Sequence, residues 1–223
     1  MSPSVNPGLI PFVTQRQGED AAPDNLLICR HAAGPRLYYG DEDPRDRPLP
    51  LRGVLWARCG FNDTDEHGQP TGAPLWKLMH PYRQMMTMLN LRCQFCSGPA
   101  RSPLGFIFLA GPKDQDATQP TILTNQPPVC PPHALAAAAL CPHLGRDPVV
   151  FVARSVPLYG VHGVLYGLDA HGKVEVAATP DQPLPFGHPN VPTLLASQLI
   201  RRLSSFRVVD LHELTKELAP HGI

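Results

Sequence analysis

Cys93-Gln94-Phe95-Cys96 and Cys130-Pro131-Pro132-His133, separated by residues 97–129, are the two stretches whose reading decides the fold. Together they spell C-x2-C followed by C-x2-H, four soft donors in two pairs. Zinc takes four such donors at about 2.0–2.3 Å in a tetrahedron, and this spacing is that of a closed site. A C-x2-C knuckle lets one tight turn present two thiolates, and Gly98 and Pro99 just after it suit such a turn. A cysteine at a helix N-cap and a histidine three residues on face the same way, next to the electropositive helix start. Cys93, Cys96, Cys130 and His133 are therefore the expected ligands of one Zn2+. Four protein ligands leave no open coordination position, so the expected role is structural.

Around these motifs the pattern is mixed. Pro81 opens a helix over 81–90, with Tyr82, Met85, Met86 and Leu89 on one face. Residues 104–110 read as a strand and 121–124 as its partner, with 111–120 as the loop between them. His133 to Leu140 is alanine-rich and reads as a short helix. Knuckle, hairpin and ligand-bearing helix, over about 91–145, resemble the treble-clef zinc finger. That resemblance implies a zinc module but no single function, since treble clefs serve binding, support and nuclease roles. The chain as a whole resembles a family of uncharacterised actinobacterial proteins, through His80-Pro-Tyr-Arg-Gln84, 91–96, 127–130, Leu140-Cys-Pro-His-Leu144 and 159–166. That resemblance supplies no catalytic residues.

Outside the module, residues 1–25 are polar and interrupted by prolines, and read as a flexible arm. Residues 26–223 read as one α+β domain: strands at 26–30, 36–39, 53–58, 149–154, 163–168 and 173–178, a short strand at 207–209, and a second amphipathic helix carrying Val191, Leu195, Leu199 and Leu203. Asp210 and Glu213 have capping-box spacing before a last helix with Leu211, Leu214 and Leu218 on one stripe. The fold class expected is thus α+β, short strands and hairpins with a few short helices around the zinc module. The 28 prolines among 223 residues place many of the connections in ordered turns.

Net charge is zero, where a dedicated nucleic-acid binder carries a basic excess to displace counterions. The compact basic cluster, Arg201, Arg202 and Arg207, reads as a solvated helix end, with phosphate contact as its functional alternative. Three of the six cysteines have metal spacing, residues 1–13 lack a secretory pattern, and no run approaches 18 apolar residues. A reducing cytoplasm with thiolate–zinc bonds and no membrane segment is the expectation.

Catalytic constellations are absent: there is no G-x-G-x-x-G, Walker A, G-x-S-x-G or H-E-x-x-H. A nuclease built in a zinc frame needs a histidine between the ligand pairs, and residues 97–129 hold only Asp114, Asp116 and Asn125 as polar candidates. Asp63, Asp65, Glu66 and His67 read as a solvated acidic loop without the later ligands of an EF-hand. Cys141 and His143 stay open as alternatives to His133 in the ligand set, as a reactive pair, or as a buried thiol and a helix cap. The first functional expectation is a zinc-binding interaction or regulatory protein with a protein or nucleic-acid partner. The second is an enzyme or accessory biosynthetic protein with a pocket between the zinc module and the C-terminal hairpin, drawing on Cys141, His143, His80 and Tyr159.

Overall fold

The structure is a computed structural model that describes residues 10–21, 25–51, 53–111, 119–140 and 148–219, with 138–140 described by backbone alone. In chain order the strands are β1 (Thr14–Arg16), β2 (Leu26–His31), β3 (Gly34–Tyr39), β4 (Leu55–Trp56), β5 (Pro74–Met79), β6 (Arg101–Ser102), β7 (Gly105–Ala110), β8 (Ile122–Thr124), β9 (Val149–Ser155), β10 (Leu158–Leu168), β11 (Val174–Ala178), β12 (Leu184–Pro185), β13 (Leu194–Leu203) and β14 (Ser205–Val209). The helices are α1 (Pro81–Asn90), α2 (Pro131–Leu140) and α3 (Leu211–Leu218). The α+β class expected from the sequence is the one found.

Two long strands organise the chain. β9 runs through Val156 and Pro157 into β10, and β13 runs through Ser204 into β14. β10 pairs with β13 and β9 with β14, both antiparallel. They form one continuous ribbon that passes from one sheet to another at residues 156–157 and 204. Proline has no N–H to give a ladder, and Pro157 instead accepts from the Arg202 N–H at 3.0 Å. Beyond this crossing, one half of the ribbon joins the sheet β11-β10-β13-β4, with β12 on β10 and β8 on β13. The other half joins the sheet β14-β9-β7-β6.

Four hydrophobic clusters fill the spaces these sheets leave. One lies between the smaller sheet, the Cys93 knuckle, α2 and α3, with Ile107, Val150, Val152, Leu214 and Leu218 buried. A second packs α1, through Met85 and Met88, onto β13 and β10 around Trp56. A third lies on the other face of the smaller sheet, around Phe108 and Phe151. The fourth seats the β2–β3 hairpin on the larger sheet through Leu26, Leu37 and Tyr39.

The helix ends follow from local chemistry. Pro81 takes the first position of α1, and Leu91 closes that helix in the left-handed region at φ 50°. Asp210 caps α3 by accepting from the Glu213 N–H at 2.7 Å.

The structure corrects three of the sequence expectations. Residues 194–203 form β13 and not a helix. Residues 122–124 pair with β13 rather than with β7, whose hairpin partner is the short β6. Residues 10–21 are no loose arm: β1 pairs with β5, the Phe12 and Val13 N–H groups bond the knuckle carbonyls of Phe95 and Gln94 at 3.2 Å, and Glu19 is fully buried. The remainder of that arm, 1–9 and 22–24, lies outside the described residues.

Candidate metal centre

The knuckle begins where α1 ends. After the left-handed turn at Leu91, Arg92 bridges to Pro99, the Cys93 N–H bonds Gly98 O and the Ser97 N–H bonds Cys93 O, both at 2.8 Å. Ser97 takes a positive φ of 55° to close this loop. The Phe95 N–H points at Cys93 Sγ from 3.4 Å, and the Gly98 N–H bonds Cys96 Sγ. A Cβ at 98 would stand 3.3 Å from that sulfur, so the turn favours glycine there. Backbone donors aimed at sulfur stabilise thiolate character.

The second pair comes from the start of α2. The Gln94 N–H bonds Pro128 O at 2.9 Å and the Val129 N–H bonds Ile107 O at 2.8 Å, so both the knuckle and β7 hold the approach to Cys130. Pro131 opens α2, and the first helical turn sets His133 beside Cys130.

The result is convergence. The ligand atoms of Cys93, Cys96, Cys130 and His133 all lie within 4.8 Å of one another. Cys96 Sγ is 4.0 Å from Cys130 Sγ, and Cys130 Sγ is 3.0 Å from His133 Nδ1. Cys93 is fully buried, and the other three are partly buried. Phe95 lies parallel to the His133 ring, at 4° and 5.6 Å between centroids, which fixes the imidazole plane. Nothing in the C-x2-C spacing signals this stacking role for Phe95. A hydrogen bond from the Cys130 thiol holds Cys93 down at about 5, and the same bond pushes Cys130 well above the usual thiol range. Such a group can hold a metal ion. Among the described residues it is the one group that brings three or more His, Cys, Asp or Glu ligands together.

The remaining sequence candidates go elsewhere. Asp65 turns inward on its own loop, accepting from the His67 and Gln69 N–H groups, so that loop is an exposed turn. His80 is fully buried as the N-cap of α1, with Nε2 2.8 Å from Gly60 O and Nδ1 accepting from the Arg83 N–H. Burial, then the neighbouring Arg83, pushes its pKa down. Both ring nitrogens are thus used in holding the helix start. Tyr159 is half-buried on β10. Cys141 and His143 lie outside the described residues.

The basic cluster is taken apart by the fold. Arg201 is buried, its guanidinium donating to Met88 O at 2.8 Å, Leu89 O at 3.1 Å and Val156 O. Arg207 pairs with Glu213 and Glu217 on α3. Arg202 alone of the three stays exposed and without an acidic partner among the described residues. No helix of the described residues is long and apolar enough to cross a membrane.

No family model, no curated protein and no solved structure matches this chain.

Proposed function

We propose that this is a zinc-stabilised binding protein, in which Cys93, Cys96, Cys130 and His133 hold one structural Zn2+ in a treble-clef-like module. The observation that carries this reading is the convergence of four soft donor atoms within 4.8 Å from two separate stretches of chain. The donor set fits zinc. Bonds of about 2.3 Å to sulfur and about 2.0 Å to nitrogen give tetrahedral edges of about 3.5–3.8 Å. The observed separations of 4.0 and 3.0 Å bracket those edges. All four positions are filled by protein, so the ion staples the knuckle to α2 and leaves no site for a reacting water.

A protein partner fits this surface better than a nucleic acid. Of the three clustered arginines Arg201 is buried and Arg207, on the surface, is paired with two glutamates, and the net charge is zero. β5 exposes Trp76 and Leu78, alternate residues of a strand whose one strand partner among the described residues is the three-residue β1. An exposed tryptophan and leucine on one strand face are of the kind that protein interfaces cover.

Metal content of protein purified without added metal tests the reading. One zinc per chain is expected, and Cys130→Ser should abolish it and lower the melting temperature. A Cys130→Ser protein with full metal content and unchanged melting would sink it. Retention of random-sequence DNA or RNA at moderate salt would overturn the preference for a protein partner.

A further inference from the structure

A cleft of about 430 Å³ opens where the tip of the β2–β3 hairpin overhangs the end of β10. Its apolar wall is the margin of the hairpin's own cluster, through Ile28 and Tyr166, with Leu168 and Pro35 beside them. Its polar lining residues are Arg30, His31 and Thr193, whose hydroxyl donates to Asn190 O at 3.2 Å, and its lining carries no acidic side chain.

Arg30 and Arg36 of this hairpin have no acidic partner among the described residues, and of the two it is Arg30 that lines the cleft. Arg47 pairs with Glu42, and Arg58 pairs with Asp41 and Asp46 while lying over the Tyr39 ring. The guanidinium of Arg30 makes no hydrogen bond or ion pair among the described residues, and neither does the imidazole of His31. Both side chains are exposed. Gly34, at φ +113°, closes the turn below them, and a Cβ there would meet nothing within 4 Å, which keeps that wall open.

We propose that this cleft binds a small aromatic carboxylate, with the carboxylate on Arg30 and the ring against Ile28, Pro35 and Leu168. A guanidinium offers parallel N–H donors that match a carboxylate, and one fixed positive charge matches a monoanion. The apolar wall supplies the ring's desolvation, as in small-molecule pockets that pair a greasy lining with few polar anchors. The proposal does not rest on the zinc site, which belongs to a different hydrophobic cluster.

The test is a fluorescence titration of the full chain with 2-naphthoate, run beside the neutral 2-naphthalenemethanol. Saturable naphthoate binding is expected, weakened about tenfold or more in Arg30→Gln, since a charge-assisted hydrogen bond is worth at least that factor. The alcohol should bind the two proteins alike. Leu168→Glu, which places a carboxylate on the wall, should weaken naphthoate as well and serves as the second variant if Arg30→Gln melts lower than the wild type. No saturable binding by the wild type, or equal naphthoate affinity in the wild type and both variants, overturns the proposal. Metal content is read separately in the same samples, so loss of zinc and loss of naphthoate binding are distinguishable.

Discussion

Glu19 and Arg83 meet as a two-pronged ion pair, Nη1 2.5 Å from Oε1 and Nη2 2.6 Å from Oε2, with both side chains at most 5% exposed. The pair ties the N-terminal segment to the first turn of α1. Glu19 also accepts from the Arg16 N–H at 2.7 Å, and Arg16 is itself buried. The Arg16 guanidinium itself donates to the carbonyls of Pro70 and Pro11, so the ion pair of this carboxylate is with Arg83.

Removing that carboxylate should be costly. Glu19→Gln leaves Arg83 charged and unpaired in the interior, a change that costs about 3–5 kcal/mol in comparable settings. The pH dependence has a definite sign. Burial pushes the Glu19 carboxyl up, but the hydrogen bonds from Arg83 and the Arg16 N–H outweigh it and the net shift is downward. The stability Glu19 adds is therefore complete above its ordinary value of 4.5 and is lost as pH falls through the lower folded value. Urea midpoints at pH 7 and at pH 3–4 should show a steep acid loss in the wild type and a shallower one in Glu19→Gln. Equal midpoints at pH 7 would refute the cost assigned to the pair.

Arg201 is a second interior charge, held by carbonyls alone. Its guanidinium caps the C-terminal end of α1, where the helix dipole favours a cation. Burial pushes its pKa down to about 10, so it stays charged at neutral pH. Arg201→Leu leaves the carbonyls of Met88, Leu89 and Val156 without that donor, and about 2–4 kcal/mol of stability should go with it. Arg201→Lys should recover only part, because one ammonium cannot reproduce the planar fork. Thermal melts of both variants check the order. A lysine variant as stable as the wild type would show that charge alone suffices.

Local signals were legible in the sequence, and long-range ones were not. α1 spans the residues its apolar face and Pro81 predict, and the two ligand pairs converge as their spacing predicts. β13 was misread because of a bulge. Gly163 pairs with Ala196 and His162 with Gln198, so Ser197 is an extra residue. That insertion shifts the inward phase from Leu194 and Ala196 to Leu199, Arg201 and Leu203, all buried. A strand with one bulge then places leucines at 195, 199 and 203, the spacing of a helix face. The arm at 10–21 was misread because Arg16 and Glu19 look solvated until Arg83, 64 residues from Glu19, is brought beside them.

Two glycines of β10 lie hard against neighbouring backbone: Gly160 against β12 and Gly163 against β13. A Cβ at Gly163 would stand 2.0 Å from Leu195 O, a backbone atom of the paired strand that cannot step aside. Gly163→Ala should therefore cost about 3 kcal/mol or more, at the upper end for overpacking. Gly172 provides the comparison, with a φ of +78° and nothing within 4 Å of an added Cβ. Gly172→Ala should cost only the left-handed penalty of roughly 1–2 kcal/mol. Urea denaturation of the two variants should separate them clearly. A smaller loss for Gly163→Ala than for Gly172→Ala would contradict the close approach.

The cysteines should react in a fixed order. Cys29 is exposed on the edge of the β2–β3 hairpin. Cys59 is partly buried, donates to Glu19 O at 3.2 Å, and is pushed up to about 11 by burial and then by the Glu19 charge. At pH 7.5 its thiolate fraction lies about two orders of magnitude below that of an ordinary cysteine, and alkylation follows the thiolate. Cys93, Cys96 and Cys130 should stay unmodified while they hold metal and become reactive together when a chelator removes it. Iodoacetamide labelling of the native protein, followed by peptide mapping with and without chelator, reads these five of the chain's six cysteines in one experiment. Cys29 should be modified first, Cys59 far more slowly, and the three ligands as a group after chelation. Labelling of Cys96 at the rate of Cys29 without chelator would mean that the thiols converge without binding an ion, and the metal centre would have to be given up.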